Sequence, residues 1–92
     1  MRHSLSRVDG IPVVRIEAKN DSESVVGCAK ITVTFLDSAG EFLFGVSEYK
    51  YDLEPGQTYN FEVMPAVLET GDKTLDIYKQ VTDYEIEVEV LF

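Results

Sequence analysis

Alternation of apolar and polar residues, interrupted by turn-forming sequences, is the feature that most constrains the fold of this chain. From Tyr84 to Val90 every second residue is apolar and the residues between them are glutamates. A period of two places alternate side chains on opposite faces of a β-strand. The same pattern recurs upstream, so the sequence predicts strands over about 12–19, 25–36, 41–51, 59–63 and 84–92.

Two glycine-containing turns are expected to reverse the chain between these strands. The first spans Asp37 to Gly40 and has the acidic first position and glycine of a tight hairpin connection. The second is Leu53-Glu54-Pro55-Gly56, in which proline fixes φ and glycine accepts the positive φ that a type II turn requires. Neighbouring strands are therefore predicted to pair in antiparallel fashion.

A chain of 92 residues supports one domain with one core. Short strands joined by turns predict an all-β fold, an immunoglobulin-like antiparallel β-sandwich of about six or seven strands. The inward-facing residues expected to form the core are Val14, Ile16, Ile31, Val33, Phe35, Phe61, Ile86 and Val88.

Two segments do not follow this pattern. Residues 1–11 are mixed polar and are interpreted as a flexible N-terminal tail, which leaves 12–92 as the folded domain. Residues 66–82 are interpreted as a long loop that could hold one helical turn, because Tyr78 and Val81 also fit a helical period.

The charge of the chain constrains its partners. Seventeen acidic and eight basic residues give a formal net charge of −9, which repels phosphate backbones and anionic lipid headgroups. Nucleic acid is therefore not an expected partner. No apolar run approaches the roughly 20 residues that a membrane-spanning helix needs, so no membrane insertion is expected in this segment. The negative charge could serve solubility, a cationic partner or weak divalent-ion binding.

Residues that could carry catalysis are few. The single histidine, His3, falls in the expected tail, and no inward-facing Asp or Glu is evident on any predicted strand. Cys28 is the only cysteine, which excludes an internal disulfide, and its apolar neighbours favour a small buried thiol over a reactive one. We therefore predict a protein that is not an enzyme and that has no cofactor.

Three carboxylates on one face of the last strand form the most unusual local feature. Glu85, Glu87 and Glu89 are spaced roughly 7 Å apart by strand geometry and repel one another. One interpretation is a solvated face whose charges are relieved by Arg15, Lys19 or Lys30 on a neighbouring strand. The other is a docking strip for a basic partner, or a device that prevents this strand from pairing with another molecule.

A second candidate interaction surface lies on the strand that begins near residue 41. Phe42, Phe44 and Val46 are expected to face inward, yet Leu43 on the opposite face is also apolar. Leu43, together with Tyr49, is therefore predicted to contact another domain of a parent protein, a protein partner or a second copy of the chain.

The chain resembles the FxLYD domain, a small immunoglobulin-like sandwich of bacterial and archaeal proteins. The resemblance covers residues 12–92 and rests on four parts of the sequence. The first two are Lys19-Asn20 before a polar turn and residues 33–37 followed by Gly40. The other two are Leu53-x-Pro55-Gly56 before Phe61 and the closing residues 84–88. Val33, Phe35 and Leu36 replace the Phe, Leu and Tyr of the family's namesake string, and Asp37 agrees with it. The resemblance implies a non-enzymatic accessory or adhesive module of an extracytoplasmic or cell-surface protein.

These observations lead to one functional prediction and one alternative. The prediction is a non-enzymatic protein-interaction or structural spacer module. The alternative is a domain that binds a small ligand or a divalent cation such as calcium, in a concave pocket among residues 64–82 and the strand ends. Calcium is considered because acidic residues gather in loops at Asp21 with Glu23, at Asp52 with Glu54 and at Asp72 with Asp76.

Overall fold

The computed structural model describes the backbone of residues 1–65 and 72–92, and the side chains of residues 1–65 and 76–92. Strands dominate this part of the chain, which confirms the predicted all-β fold. In chain order the elements are β1 (Arg2–Val8), β2 (Ile11–Lys19), β3 (Val26–Leu36), β4 (Phe42–Leu53), β5 (Thr58–Val63), α1 (Asp72–Gln80) and β6 (Asp83–Val90).

The strands form two antiparallel sheets. The first sheet has the order β1-β2-β5 and the second has the order β4-β3-β6. Apolar side chains on the inner faces of both sheets share one core, as in a β-sandwich. Because β2 and β3 are central, the described residues leave β1, β5, β4 and β6 as edge strands.

The prediction of a flexible tail at residues 1–11 is wrong, because most of this segment is β1, which pairs with β2 along its whole length. Asp9 and Gly10 form the hairpin turn, with φ of 52° and 81°, as expected for an Asp-Gly type I′ connection. The alternation was hidden because two inward positions of β1 hold polar residues, His3 and Arg7. Both find hydrogen-bond partners far along the chain.

The core is close to the predicted one. It consists of Val14, Ile16, Ile31, Val33, Phe35, Phe61, Val63 and Val81, and Ile86 packs against it. Val88 does not belong to the core, contrary to the prediction, and has 47% of its surface exposed. The reason is that β1 meets β6 near the start of β6, where His3 contacts Tyr84, and the inner side of the later half of β6 stays uncovered.

Both predicted glycine turns adopt the expected backbone conformation. Gly40 and Gly56 have φ of 77° and 75°. The amide of Gly56 donates a hydrogen bond to the backbone oxygen of Asn20 at 2.8 Å, and the buried side chain of Asn20 donates to the backbone oxygen of Leu53 at 2.8 Å. The connection after β2 is thereby joined to the turn between β4 and β5.

The loop predicted over residues 66–82 is partly wrong, since 72–80 forms α1, which is more than one helical turn. The remainder of that prediction, at 66–71, lies outside the described residues. Tyr78 and Val81 are buried, and the Tyr78 ring lies 5.5 Å from that of Phe44. Packing of this kind stabilises helices that are too short to persist alone.

Candidate interaction surfaces

The outer face of the second sheet brings Tyr49 and Glu89 close to a common neighbour. Lys30 in the central strand is the register partner of Tyr49 on one side and of Glu89 on the other. Its Nζ lies 5.9 Å from the centroid of the Tyr49 ring, within the range of a cation–π contact. Two predicted surface residues from opposite edges of this sheet thus flank one lysine.

The glutamates of β6 are exposed on this outer face, as the alternation predicts. Their register partners in β3 are Thr34 for Glu85, Thr32 for Glu87 and Lys30 for Glu89. The predicted relief by Arg15 or Lys19 is wrong, because both of those residues lie on β2 in the first sheet.

In the described part of the chain, none of these three glutamates has a lysine or arginine nitrogen within 4.0 Å of its carboxylate. The ion pair found among the described residues lies on the other sheet and joins Arg15 Nε to Glu62 Oε2 at 3.7 Å. Lys30 directs its ammonium group towards Tyr49. Because Lys30 is still the register partner of Glu89, the negative field of this row of glutamates is strongest at Glu85 and Glu87, whose partners are the neutral Thr34 and Thr32.

Leu43 does not lie on the outer face, so that part of the surface prediction is corrected. A β-bulge interrupts the register, because Phe35 pairs with Phe44 whereas Leu36 pairs with Phe42. Leu43 falls at this irregularity, is half-buried and packs against the core. The bulge also turns Phe42 outward, where 68% of its surface is exposed, although alternation predicted it to face inward.

An apolar groove runs beside the edge strand β4. It has a volume of about 470 Å³ and lies between β4 on one side and Pro65 and α1 on the other. We call it the β4 groove, and among the described residues its apolar lining consists of Leu43, Phe44, Val46, Pro65, Ile77 and Tyr78. Alternation identified Leu43 as a surface candidate, but only the fold brings it together with residues on α1.

At the opposite edge of the second sheet, the glutamates were identified from the sequence, but the exposed apolar residues on the inner side of β6 were not. Val88 and Val90 lie on the inner side of β6, opposite Ile31 and Ala29, and have 47% and 66% of their surface exposed. In the described residues no strand pairs with the far side of β6. We call this region, with the two valines on its inner side and the three glutamates on its outer side, the β6 edge.

A polar concavity of about 520 Å³ lies over the first sheet. Its lining includes Arg2 and Ser4 of β1 and the ion pair between Arg15 and Glu62. Because both partners of that pair are about half exposed, water screens the interaction. Sequence reasoning missed this concavity because it treated β1 as a tail.

The single histidine is exposed on β1, whereas the single cysteine is buried in β3. His3 Nδ1 lies 2.7 Å from the hydroxyl of Tyr84, and the two rings meet edge to face. Cys28 is buried, as the sequence predicted, with 2% of its surface exposed. Among the described residues, no group of three or more His, Cys, Asp or Glu side chains is placed to hold a metal ion.

Comparisons with known proteins found no relative of this chain. No protein-family model, curated protein or solved structure matches this chain. In the part of the chain that the structure describes, no helix has the length and apolar character required to cross a membrane.

Proposed function

We propose that this domain is a non-enzymatic protein-interaction or structural module that receives an apolar segment of a partner protein in the β4 groove. The observation that carries the proposal is the groove itself. Apolar residues of an edge strand and of a helix line a concave surface, with Ile77 41% exposed at its rim. Contiguous exposed apolar surface on a small protein is typical of interaction sites.

The backbone of β4 strengthens this proposal. Because β4 is an edge strand of 12 residues, one of its sides carries backbone N–H and C=O groups that β3 does not use. A partner segment in the groove could pair with this side while its apolar side chains enter the groove. Strand addition of this kind combines main-chain hydrogen bonds with side-chain pockets.

The chemistry of the described residues supports a binding role over catalysis. The imidazole of His3 is engaged by Tyr84, and the thiol of Cys28 is buried in the other sheet. Nucleophilic catalysis needs a nucleophile and a base within hydrogen-bond reach of each other. Among the described residues, the hydrogen-bond partner of the His3 imidazole is the hydroxyl of Tyr84.

The resemblance to the FxLYD domain supports the rest of the proposal. We place the module in a prokaryotic extracytoplasmic or cell-surface protein on that basis. The sequence strings that carry the resemblance include Asp37, Gly40 and Pro55-Gly56. An accessory or adhesive module needs a binding surface and a stable scaffold, and the β4 groove and the sandwich would supply them.

A second candidate function is small-ligand binding in the same groove. The volume of about 470 Å³ lies within the range of roughly 300 to 1,000 Å³ that is usual for small-molecule sites. Both candidates use the same lining residues, so the size of the bound molecule distinguishes them.

A crosslinking experiment tests the proposal. A photo-crosslinking amino acid is placed at position 77 in the groove and, as a control, at position 51, which is exposed on β4 away from the groove. We expect position 77 to capture a protein that position 51 does not. That protein is then identified and purified, and we expect Ile77→Asp to weaken its binding while Tyr51→Asp leaves it unchanged.

Two results contradict the proposal. One is equal capture at both positions, and the other is a purified partner whose binding ignores Ile77→Asp. A small molecule found bound by native mass spectrometry and lost in Ile77→Asp establishes the second candidate instead.

A further inference from the structure

We infer that the β6 edge is a second binding surface, which accepts an extended peptide segment with alternating basic and apolar residues as an added strand. This surface is independent of the β4 groove, because β3 separates β4 from β6 in the second sheet. The inference depends on three features of β6: its free backbone, its exposed valines and its row of glutamates.

The backbone of β6 is available on one side. In the described residues β6 pairs with β3 alone, so alternate N–H and C=O groups along its other side face away from the sheet. An added strand would lie about 4.8 Å away and would satisfy these groups. Its side chains would then alternate between the inner and the outer faces of the sandwich.

The inner side of β6 favours apolar residues in the added strand. Val88 and Val90 point to the same side as the core residue Ile31, yet about half or more of each side chain is exposed. Apolar residues at alternate positions of an added strand would cover this surface. Cross-strand contacts between apolar side chains of this kind stabilise strand pairing.

The outer side of β6 specifies the charge of the partner. Glu85, Glu87 and Glu89 face outward with no cation within 4.0 Å among the described residues. Lysine or arginine at the other alternate positions of an added strand would lie directly beside these carboxylates, and opposite charges across strands are stabilising. The partner is therefore an extended segment that is basic on one face and apolar on the other.

The same glutamates argue against a second copy of this chain at the β6 edge. If two copies paired through β6, the glutamates of both would lie on one face of the joint sheet, where like charges opposite each other are destabilising. The net charge of −9 adds to this repulsion. Charge complementarity thus selects a basic partner over self-association.

A synthetic probe tests the inference on the intact chain. The probe is an eight-residue peptide of alternating lysine and valine, with blocked ends and a fluorescent label, and its binding is measured by anisotropy at low salt. We expect saturable binding that weakens as salt is added. The same peptide with all backbone amides methylated keeps its charges but cannot donate to a strand, and we expect it not to bind.

Two charge-matched variants locate the site. The first combines Glu85→Gln, Glu87→Gln and Glu89→Gln, and we expect it to weaken binding about tenfold, as three lost cross-strand ion pairs would. The control combines Asp21→Asn, Glu23→Gln and Glu54→Gln in exposed loops, which changes the net charge equally. We expect this control to change the affinity by less than about threefold.

Four results overturn the inference. Two concern the peptides: the alternating peptide does not bind, or the methylated peptide binds as well as the unmethylated one does. The third is that both triple variants weaken peptide binding equally. The fourth is a dimer, detected by light scattering, that disappears on Val90→Lys. None of them bears on the β4 groove, which the variants at position 77 test separately. The two proposals can therefore fail or succeed independently.

Discussion

Arg7 in the first strand donates a hydrogen bond from Nη1 to the backbone oxygen of Tyr78 at 2.9 Å, across 71 positions of sequence. The other terminal nitrogen of the same guanidinium donates to the backbone oxygen of Val81. Carbonyl groups at the end of a helix lack intrahelical partners, and a cation there also interacts favourably with the helix dipole. Arg7 therefore joins the first sheet to the helix that lines the β4 groove.

Removal of this link should destabilise the domain. We expect Arg7→Ala to lower the free energy of unfolding by about 1–2 kcal/mol, because two carbonyl groups lose charge-assisted hydrogen bonds. Arg7→Lys should lose less, since it keeps the charge but cannot donate in the same forked geometry. Urea denaturation followed by circular dichroism measures the free energy of unfolding of both variants. Arg2→Ala, an exposed arginine on the same strand, is the control and should change stability by less than about 0.5 kcal/mol.

Two phenylalanines close in sequence should differ sharply in their contribution to stability. Phe35 is fully buried and stacks on Phe44 with ring centroids 4.8 Å apart, whereas 68% of Phe42 is exposed. Phe35→Ala should cost about 3–5 kcal/mol and could unfold the domain, so Phe35→Leu, with a smaller expected loss, provides a measurable variant. Phe42→Ala is the matched control. Equal shifts of the denaturation midpoint for Phe35→Leu and Phe42→Ala would show that the core is assigned incorrectly.

Alternation predicted much of the sandwich because period two is a local signal. The strands at 12–19, 25–36 and 84–92 and the inward faces that hold Ile31 and Phe35 could all be read from neighbouring residues. β1 could also have been found, since the Asp9-Gly10 dipeptide is a strong hairpin signal.

Other features depend on contacts that are distant in sequence. The bulge that moves Leu43 is set by how β4 pairs with β3, and the inward position of Arg7 is stabilised by carbonyl groups near residue 80. The predicted surface residues Tyr49 and Glu89 flank the same residue, Lys30, only because β3 lies between their two strands. A one-dimensional pattern carries no information on such partners.

Asn20 should be among the most sensitive polar residues of the chain. Its side-chain Nδ2 donates to the backbone oxygens of Leu53 and Ser24 at 2.8 and 3.0 Å, and its Oδ1 accepts from the amide of Ser22 at 3.1 Å. Asn20→Asp preserves the shape but replaces the donor with an oxygen that faces two carbonyl groups. We expect a loss of about 2–4 kcal/mol, from two broken hydrogen bonds and a desolvated charge.

The adjacent residue supplies the control for this prediction. Asp21 is exposed, and Asp21→Asn should leave the denaturation midpoint nearly unchanged. If Asn20→Asp were as stable as the parent protein at neutral pH, the hydrogen bonds of Asn20 would not anchor the connection after β2.

Backbone conformation predicts a difference between two glycines. Gly56 has a φ of 75°, in the left-handed region, and its amide bonds to Asn20. Gly56→Ala should therefore cost about 1 kcal/mol, although a Cβ there would meet no atom within 4 Å. At Gly45 a Cβ would make ordinary contacts of 3.8 and 4.0 Å, and no positive φ is required. Gly45→Ala should be neutral or slightly stabilising, and a larger loss at Gly45 than at Gly56 would contradict the prediction.

The thiol of Cys28 should report on local opening of residues 91 and 92, which follow β6. Its backbone amide donates to the oxygen of Phe92 at 3.0 Å and its backbone oxygen accepts from the amide of Leu91 at 2.9 Å, so the end of the chain pairs beside it. With 2% of its surface exposed, Cys28 should react with Ellman's reagent at least about 100-fold more slowly in the folded protein than in urea. If residues 91 and 92 open locally without unfolding of the whole domain, the labelling rate at low urea will rise less steeply with urea concentration than the equilibrium constant of global unfolding does. Reaction at the rate of a free thiol in native buffer would show that the pairing between β3 and the chain end does not persist in solution.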